Sequence, residues 1–412
     1  MNKLYFIIGA IILLIILIFI PSLFKKDSVI IGDFDDVVSS NNQFAFDLYS
    51  EYRSKEGNIF FSPYSITSAL AMTYEGARGK TADEMQSVFH FPEDVARQEG
   101  YAALDQEINK KNKEYELNVA NALWAEQDYE FLDSYFDLVE QYYGGKVTNM
   151  DFQNNAEKSR ITINKWIEDK TKDKIKDLIP SGAIDRLTRL VLTNAIYFKG
   201  EWVKQFNKED TWDQDFRINS DEVIEVPMMR RTDKEAEFNY MENNKLQMLE
   251  MPYSGEELSM LILLPKNNNI ESLENSIQDL SKWKKDLEEQ RVKIYIPRFK
   301  FETKYFMKDI LSDMGMPTAF FNIADFSGMT GFKSPGEGLK IDKVIHQAFV
   351  EVNEEGTEAA ATTAVLMPLA TSIDPGPRIP VFRADHPFIF IIQQRDLGNI
   401  LFMGRVSDPT QE

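Results

Sequence analysis

The sequence predicts an α+β fold with large antiparallel or mixed β-sheets, on three observations. Apolar residues at helical spacing dominate the first half of the chain, whereas short β-branched or aromatic runs between turn signals dominate the second. No composition shift or linker divides residues 40–412, so they form one large domain. Glu354–Thr363 reads Glu-Glu-Gly-Thr-Glu-Ala-Ala-Ala-Thr-Thr. It lies between two strand-like stretches, yet lacks the Pro, Asn, Asp and repeated Gly of a surface loop. Its small and β-branched side chains are those of a strand without a sheet.

The elements follow in order. Residues 1–26 form an apolar N-terminal segment, and 27–39 a polar linker. From Asn41, Phe44, Phe46, Leu48 and Tyr49 fall near a 3.6-residue period and predict a helix. Asn58–Phe61 is a short strand running into a helix with Ser62 as N-cap and Pro63 at the first helical position. Gly76-Ala77-Arg78-Gly79 stops that helix, and Thr81–Glu84 begins another. Leu117–Trp124 reads as a strand, Lys158–Ile179 as an amphipathic helix, and Leu190–Phe198 as a central strand. Seven short strands follow, among them Ile345–Val352, with Lys304–Met314 as a helix among them.

Composition excludes several functions. A net charge of -20, from 46 basic and 66 acidic residues, repels phosphate backbones and argues against nucleic-acid binding. There is no cysteine, hence no disulfide, catalytic thiolate or cysteine-ligated metal. The three histidines, His90, His346 and His386, show no metal-ligand spacing. No Gly-x-Ser-x-Gly elbow, Walker loop or dinucleotide fingerprint occurs. No cofactor and no enzymatic activity are expected.

Leu4–Ile20 is an uncharged run of seventeen residues, extended by Leu23 and Phe24. That approaches the roughly 20 residues that cross a bilayer, and no small-residue cleavage pattern follows. An uncleaved transmembrane anchor is expected, with the body outside the cell; secretion after signal cleavage is the alternative. The anchor and the absent cysteine lean towards a prokaryotic source.

Several segments together resemble the serpin family. These are Asn58–Ile66, Gly76–Thr81, Asn194-Ala195-Ile196-Tyr197-Phe198-Lys199-Gly200-Glu201-Trp202, Asp325–Gly328, Ala384–Phe388 and Phe402–Val406. They occur in the family's order across about residues 40–409, and Glu354–Thr363 matches its hinge. The resemblance implies a monomeric suicide-substrate inhibitor of serine proteases. A reactive loop is cleaved, the protease is held as an acyl-enzyme, and the hinge inserts into the main sheet as an extra strand. A non-inhibitory chaperone or binding protein is the alternative.

The residues can be read against that mechanism. The hinge comprises Glu354, Glu355, Gly356, Thr357, Glu358, Ala359, Ala360, Ala361, Thr362 and Thr363. Thr357, Ala359, Ala361, Thr363 and Val365 share one parity and carry no charge; Glu358 falls on the other. No proline interrupts Gly356–Met367, so each amide can join a ladder. About ten bonds at roughly 1 kcal/mol each would supply on the order of 10 kcal/mol, comparable to a domain's stability. By the family's hinge count the reactive bond is Ala370–Thr371, which suits elastase-like or subtilisin-like proteases. Cleavage after Met367 or Leu369 would suit chymotrypsin-like ones. Ser62, Ser65, Asn194 and His346 correspond to the family's buried polar shutter, and Trp202 to the tryptophan near the insertion point. Titration of His346 would make opening pH-sensitive.

Overall fold

The computed structural model describes residues 34–110, 113–128, 130–331, 339–357 and 379–411. The first half carries helices α1 (Asp35–Tyr52), α2 (Pro63–Tyr74), α3 (Gly79–Phe89), α4 (Asp94–Ile108), α5 (Asp133–Tyr143) and α6 (Phe152–Lys170). Strands β1 (Ile59–Phe61), β2 (Tyr115–Glu126), β3 (Lys146–Met150) and β4 (Leu190–Glu201) interleave with them. The second half is mostly strand: β5 (Trp212–Arg217), β6 (Val223–Arg231), β7 (Glu237–Glu242), β8 (Leu246–Pro252), β9 (Leu258–Pro265), β10 (Glu288–Arg291), β11 (Lys293–Pro297) and β12 (Phe299–Phe306). Then come β13 (Lys343–Val352), β14 (Gly356–Thr357), β15 (Val381–Arg383), β16 (Phe388–Gln394) and β17 (Ile400–Val406). This is the expected α+β architecture.

Three sheets organise the strands. One runs β1-β17-β16-β9-β8-β7-β10, a second β15-β11-β6-β5, and the third β12-β13-β14-β4-β2-β3, in which β13 and β4 also pair directly. Phenylalanines weld the first sheet to the third: Phe60 stacks on Phe402 at 5.3 Å and packs edge-on to Phe301 at 6.2 Å. On the opposite face of the third sheet, α6 and the chain after it bury Ile163, Ile167, Ile175 and Ile179 against Trp124, Val191, Ala195 and Ile345. That cover lies across the seam between β13 and β4.

Several sequence expectations are corrected. Asp35–Ser39, assigned to a linker, form the first turns of α1. The helix expected over 158–179 begins at Phe152, where Asp151 accepts the Asn154 N–H at 2.9 Å. It ends at Lys170: Thr171 turns its hydroxyl back to the Ile167 carbonyl at 2.8 Å, and Lys172 and Asp173 adopt φ of 54° and 61°. Lys304–Phe306, expected in a helix, finish β12, because they pair with β13 and leave only Lys308–Asp313 helical. Tertiary pairing overrides local propensity there.

The membrane-anchored location is also corrected. Among the described residues no helix is long and apolar enough to cross a membrane. The run Leu4–Ile20 lies outside the described residues.

Candidate functional site

β13 and β4 run parallel and pair directly from Lys343 opposite Val191 to Phe349 opposite Tyr197. Beyond that point they part. The chain leaves β13 at Val352, reverses through Asn353–Glu355 and re-enters the sheet between them as β14. Thr357 stands opposite Val352 on one side and Gly200 on the other. The sheet is thus already open at one end, with a two-residue strand wedged into the opening and antiparallel to both neighbours.

The turn that drives the wedge is tightly held. Asn353 Oδ1 accepts the amides of Glu355 and Gly356 at 3.0 and 3.2 Å, and the Asn353 N–H donates to the Gly356 carbonyl at 2.9 Å. Trp202 grips the turn from β4's end: its amide donates to the Glu355 carbonyl at 2.8 Å, and its indole N–H to the Asn353 carbonyl at 3.0 Å. The indole stacks on Tyr253 with centroids 4.5 Å apart. Gly356 passes so close to β4 that a Cβ there would lie 2.1 Å from the Gly200 carbonyl oxygen. Only glycine fits this close approach.

Glu354 and Glu355 are buried anchors, not free loop. Arg298 Nε donates to both carboxylate oxygens of Glu354 at 2.8 Å, and the Thr211 hydroxyl adds a bond at 2.5 Å. Burial pushes the Glu354 carboxyl up, but these hydrogen bonds outweigh it and leave it below its usual range. Lys208 Nζ lies 2.5 Å from Glu355 Oε1. Thr357 is 1% exposed and turned inward, its hydroxyl 2.7 Å from that of Tyr253. Glu358, Ala359, Ala360, Ala361, Thr362 and Thr363, and the bond Ala370–Thr371, lie outside the described residues.

Beneath the still-closed part of the seam sits a buried polar cluster. Ser62 fills two roles: its Oγ accepts the Ser65 N–H at 3.2 Å, capping α2, and donates to the Leu401 carbonyl at 2.6 Å. The Ser62 amide donates to His346 Nε2 at 3.1 Å. An amide can only donate, so Nε2 is the unprotonated nitrogen and Nδ1–H donates to Asn194 Oδ1. Asn194 Nδ2 donates to the Ser65 carbonyl at 2.6 Å and to Asn121 Oδ1. The Ser65 hydroxyl also donates to Asn121 Oδ1, at 3.1 Å. The cluster thereby ties β13, β4, β2 and α2 into one network.

His346 is fully buried, and burial holds its pKa down to about 3 against the opposing pull of its bond to Asn194. It is neutral throughout the ordinary pH range. The expectation that its titration gates the sheet is therefore corrected.

Ser62, Ser65, Asn194 and His346 come together, and Trp202 lies apart from them at the open end of the seam. Sequence reasoning missed Asn121, although a lone asparagine inside Val119–Leu123 was a visible signal. It also missed Tyr253, Thr211 and Arg298, whose roles arise from contacts distant in sequence and leave no local mark.

The site is thus a sheet parted at one end by a returning strand, above a buried polar cluster. The chain matches the family described as Serpin (serine protease inhibitor) over residues 39–409. It is 44% identical over 390 residues to an uncharacterized serpin-like protein of Thermococcus kodakarensis, covering 93% of this chain and 88% of that one. It is 42% identical over 396 residues to human Serpin B3, covering 90% and 98%. It is 40% identical over 386 residues to leukocyte elastase inhibitor of Bos taurus, covering 91% and 100%. Among solved structures it superposes on uncleaved ovalbumin with a TM-score of 0.80 at 32% identity, covering 91% of this chain and all of that one. Human thyroxine-binding globulin complexed with its hormone gives 0.81 at 32%, covering 92% and 99%. The chain belongs to the serpin family. Archaeal and human relatives are similar to it at nearly equal identity, so the lean towards a prokaryotic source is not supported.

Proposed function

We propose that this chain is a suicide-substrate inhibitor of serine proteases. The observation that carries the reading is β14: Gly356–Thr357 already occupies the top of the seam, so insertion extends an existing strand. Nucleating a strand between two paired neighbours is the costly step, and here it is complete.

In this reading the protease serine attacks the Ala370 carbonyl, an ester forms, and the amine of Thr371 leaves. Release of that end frees the arm to zip between β13 and β4. The direct pairs Lys343–Val191 to Phe349–Tyr197 open, and the one ladder they form is replaced by two. The arm carries the acylated protease with it and distorts the protease before the ester is hydrolysed. The chain is consumed once and does not turn over. Similarity to a leukocyte elastase inhibitor supports elastase-like targets, as does the small side chain of Ala370.

Incubation with elastase, subtilisin and chymotrypsin, read by denaturing gel and mass of the released C-terminal peptide, tests this. A covalent complex and a peptide beginning at Thr371 are expected. Clean cleavage without a complex, and without a rise in melting temperature, would establish the non-inhibitory alternative.

A further inference from the structure

We propose that His386 is a doubly protonated buckle, which fastens the edge strand β15 to the body of the protein and releases it when the ring gives up its second proton. The residue is 8% exposed, and both of its ring nitrogens face acceptors. Nδ1 lies 2.8 Å from the Asp385 carboxylate, and Nε2 lies 2.8 Å from the Pro265 carbonyl oxygen. Neither oxygen has a hydrogen to give, and a neutral imidazole carries a single N–H. A neutral ring would turn a lone pair towards one of them. The imidazolium donates to both. His346 shows the opposite pattern, with an amide donor on one nitrogen and an acceptor on the other.

The ring sits at the elbow between β15 and β16. β15 is three residues long, lies at the edge of its sheet and, among the described residues, pairs with β11 alone. The Ala384 amide donates to the Tyr295 carbonyl at 2.9 Å, and the Arg217 amide to the Asp385 carbonyl at 2.8 Å. His386 adds the tie to the end of β9, in a different sheet. β15 is also the first described strand after the bond Ala370–Thr371, so this elbow anchors the downstream end of the segment that carries it.

The segments that meet here carry Arg217 on β5, Lys245 before β8, Lys266 after β9, Lys293 on β11, Arg383 on β15 and Asp408 beyond β17. Arg383 is stacked over Tyr295, Lys266 is paired with Glu242, and Asp408 Oδ1 takes bonds from Thr410. The five cations oppose a charge on the ring, and the Asp385 carboxylate against Nδ1 favours it. Protonated, the ring holds both oxygens. As pH rises and the proton leaves, one bond is lost and the fastening weakens.

This device is independent of the inhibitor reading. Uncleaved full-length protein with nitrogen-15-labelled histidine is titrated from about pH 5 to 9, and nitrogen–proton correlations report the state of each ring. The chain has three histidines, His346 is held neutral, and His90→Gln removes the third signal, which leaves His386. The expected result is an imidazolium pattern for His386 at the acid end. Hydrogen exchange at the Ala384 amide, referenced to amides of β16, rises several-fold across the same midpoint. Asp385→Asn removes the ionised acceptor and moves that midpoint down by about one pH unit. A neutral pattern for His386 throughout the range, or a titration that leaves exchange at Ala384 unchanged, overturns the proposal. Both of those readouts come from protein with Asp385 and His386 intact, so they decide the matter even where Asp385→Asn does not fold.

Discussion

His346 and Asn194 face each other directly across the seam between β13 and β4, joined by Nδ1–H to Oδ1. In the proposed mechanism the inserting strand would pass between these two groups. Closing the sheet makes it, and opening the sheet breaks it.

Asn194→Ala removes this latch and also strips partners from Ser65 and Asn121. Leaving buried polar groups unpaired costs about 1–3 kcal/mol. Urea unfolding of the uncleaved variant is expected to show that loss. Inhibitory activity is also expected to decay faster on warming, because the arm enters a weakened seam.

The pH dependence has a defined sign. His346 has a folded pKa of about 3 against an ordinary value near 6.5. The unfolded chain binds the proton more readily in that interval, so stability falls as pH drops from about 6.5 to 3. The slope from this one group approaches 1.4 kcal/mol per pH unit. Asp105, raised to about 6, acts oppositely between its ordinary value and 6, where stability is lost as pH rises. Denaturant unfolding at pH 7, 5 and 4 on the parent and on His346→Gln separates them, and the variant loses the steeper acid decline. An identical slope in both would contradict the assigned burial of the imidazole.

Thr357→Arg places a charge against Tyr253 inside the sheet. Burying an unpaired charge costs several kcal/mol. The wedge is expected to withdraw, insertion to stall, and the inhibitor to become a substrate. The measurement is the number of inhibitor molecules consumed per protease inactivated, which rises several-fold or more. An unchanged ratio would refute the inward assignment.

The register of β14 makes a further prediction. Six residues beyond Thr357 is Thr363; six residues before Val352 is His346, and six before Gly200 is Asn194. In the proposed mechanism, continued insertion in this register would deliver the Thr363 hydroxyl between the two groups it separates, on the same parity as Thr357. Thr363→Val keeps the shape and removes the hydroxyl. It is expected to reduce the gain in melting temperature on cleavage, by an amount reflecting about 1–3 kcal/mol of unpaired buried groups, while leaving the uncleaved protein unchanged.

Lys304 ties the outer strand β12 to the chain that covers the seam. From β12 its Nζ donates to the Asp177 carbonyl, at 2.9 Å, in the chain after α6 that covers β13 and β4. Lys304→Met removes one bond of about 1 kcal/mol. Faster trapping of protease, by about fivefold, is expected in rapid-mixing kinetics.

Much of the site was legible because it is written locally. The Ser62-Pro63 helix start, the apolar run of β4 and the inward side of Thr357 each follow from spacing within a few residues. The burial of Glu354 and Glu355 was not legible, because their partners Arg298, Thr211 and Lys208 are distant in sequence. Lys304–Phe306 misled for the same reason: strand pairing with Gln347–Ile345 outweighs a weak helical pattern.

By itself the sequence determined the α+β class and the helix start at Ser62, since periodicity, capping and residue type act over one or two turns of chain, and its resemblance to the serpin family pointed to four members of the polar cluster. Tertiary structure alone decided that Thr357 is already inside the sheet, that Asn121 completes the cluster and that His346 is held neutral. Those facts depend on which strands become neighbours and on the exclusion of water between them, and no local pattern encodes either.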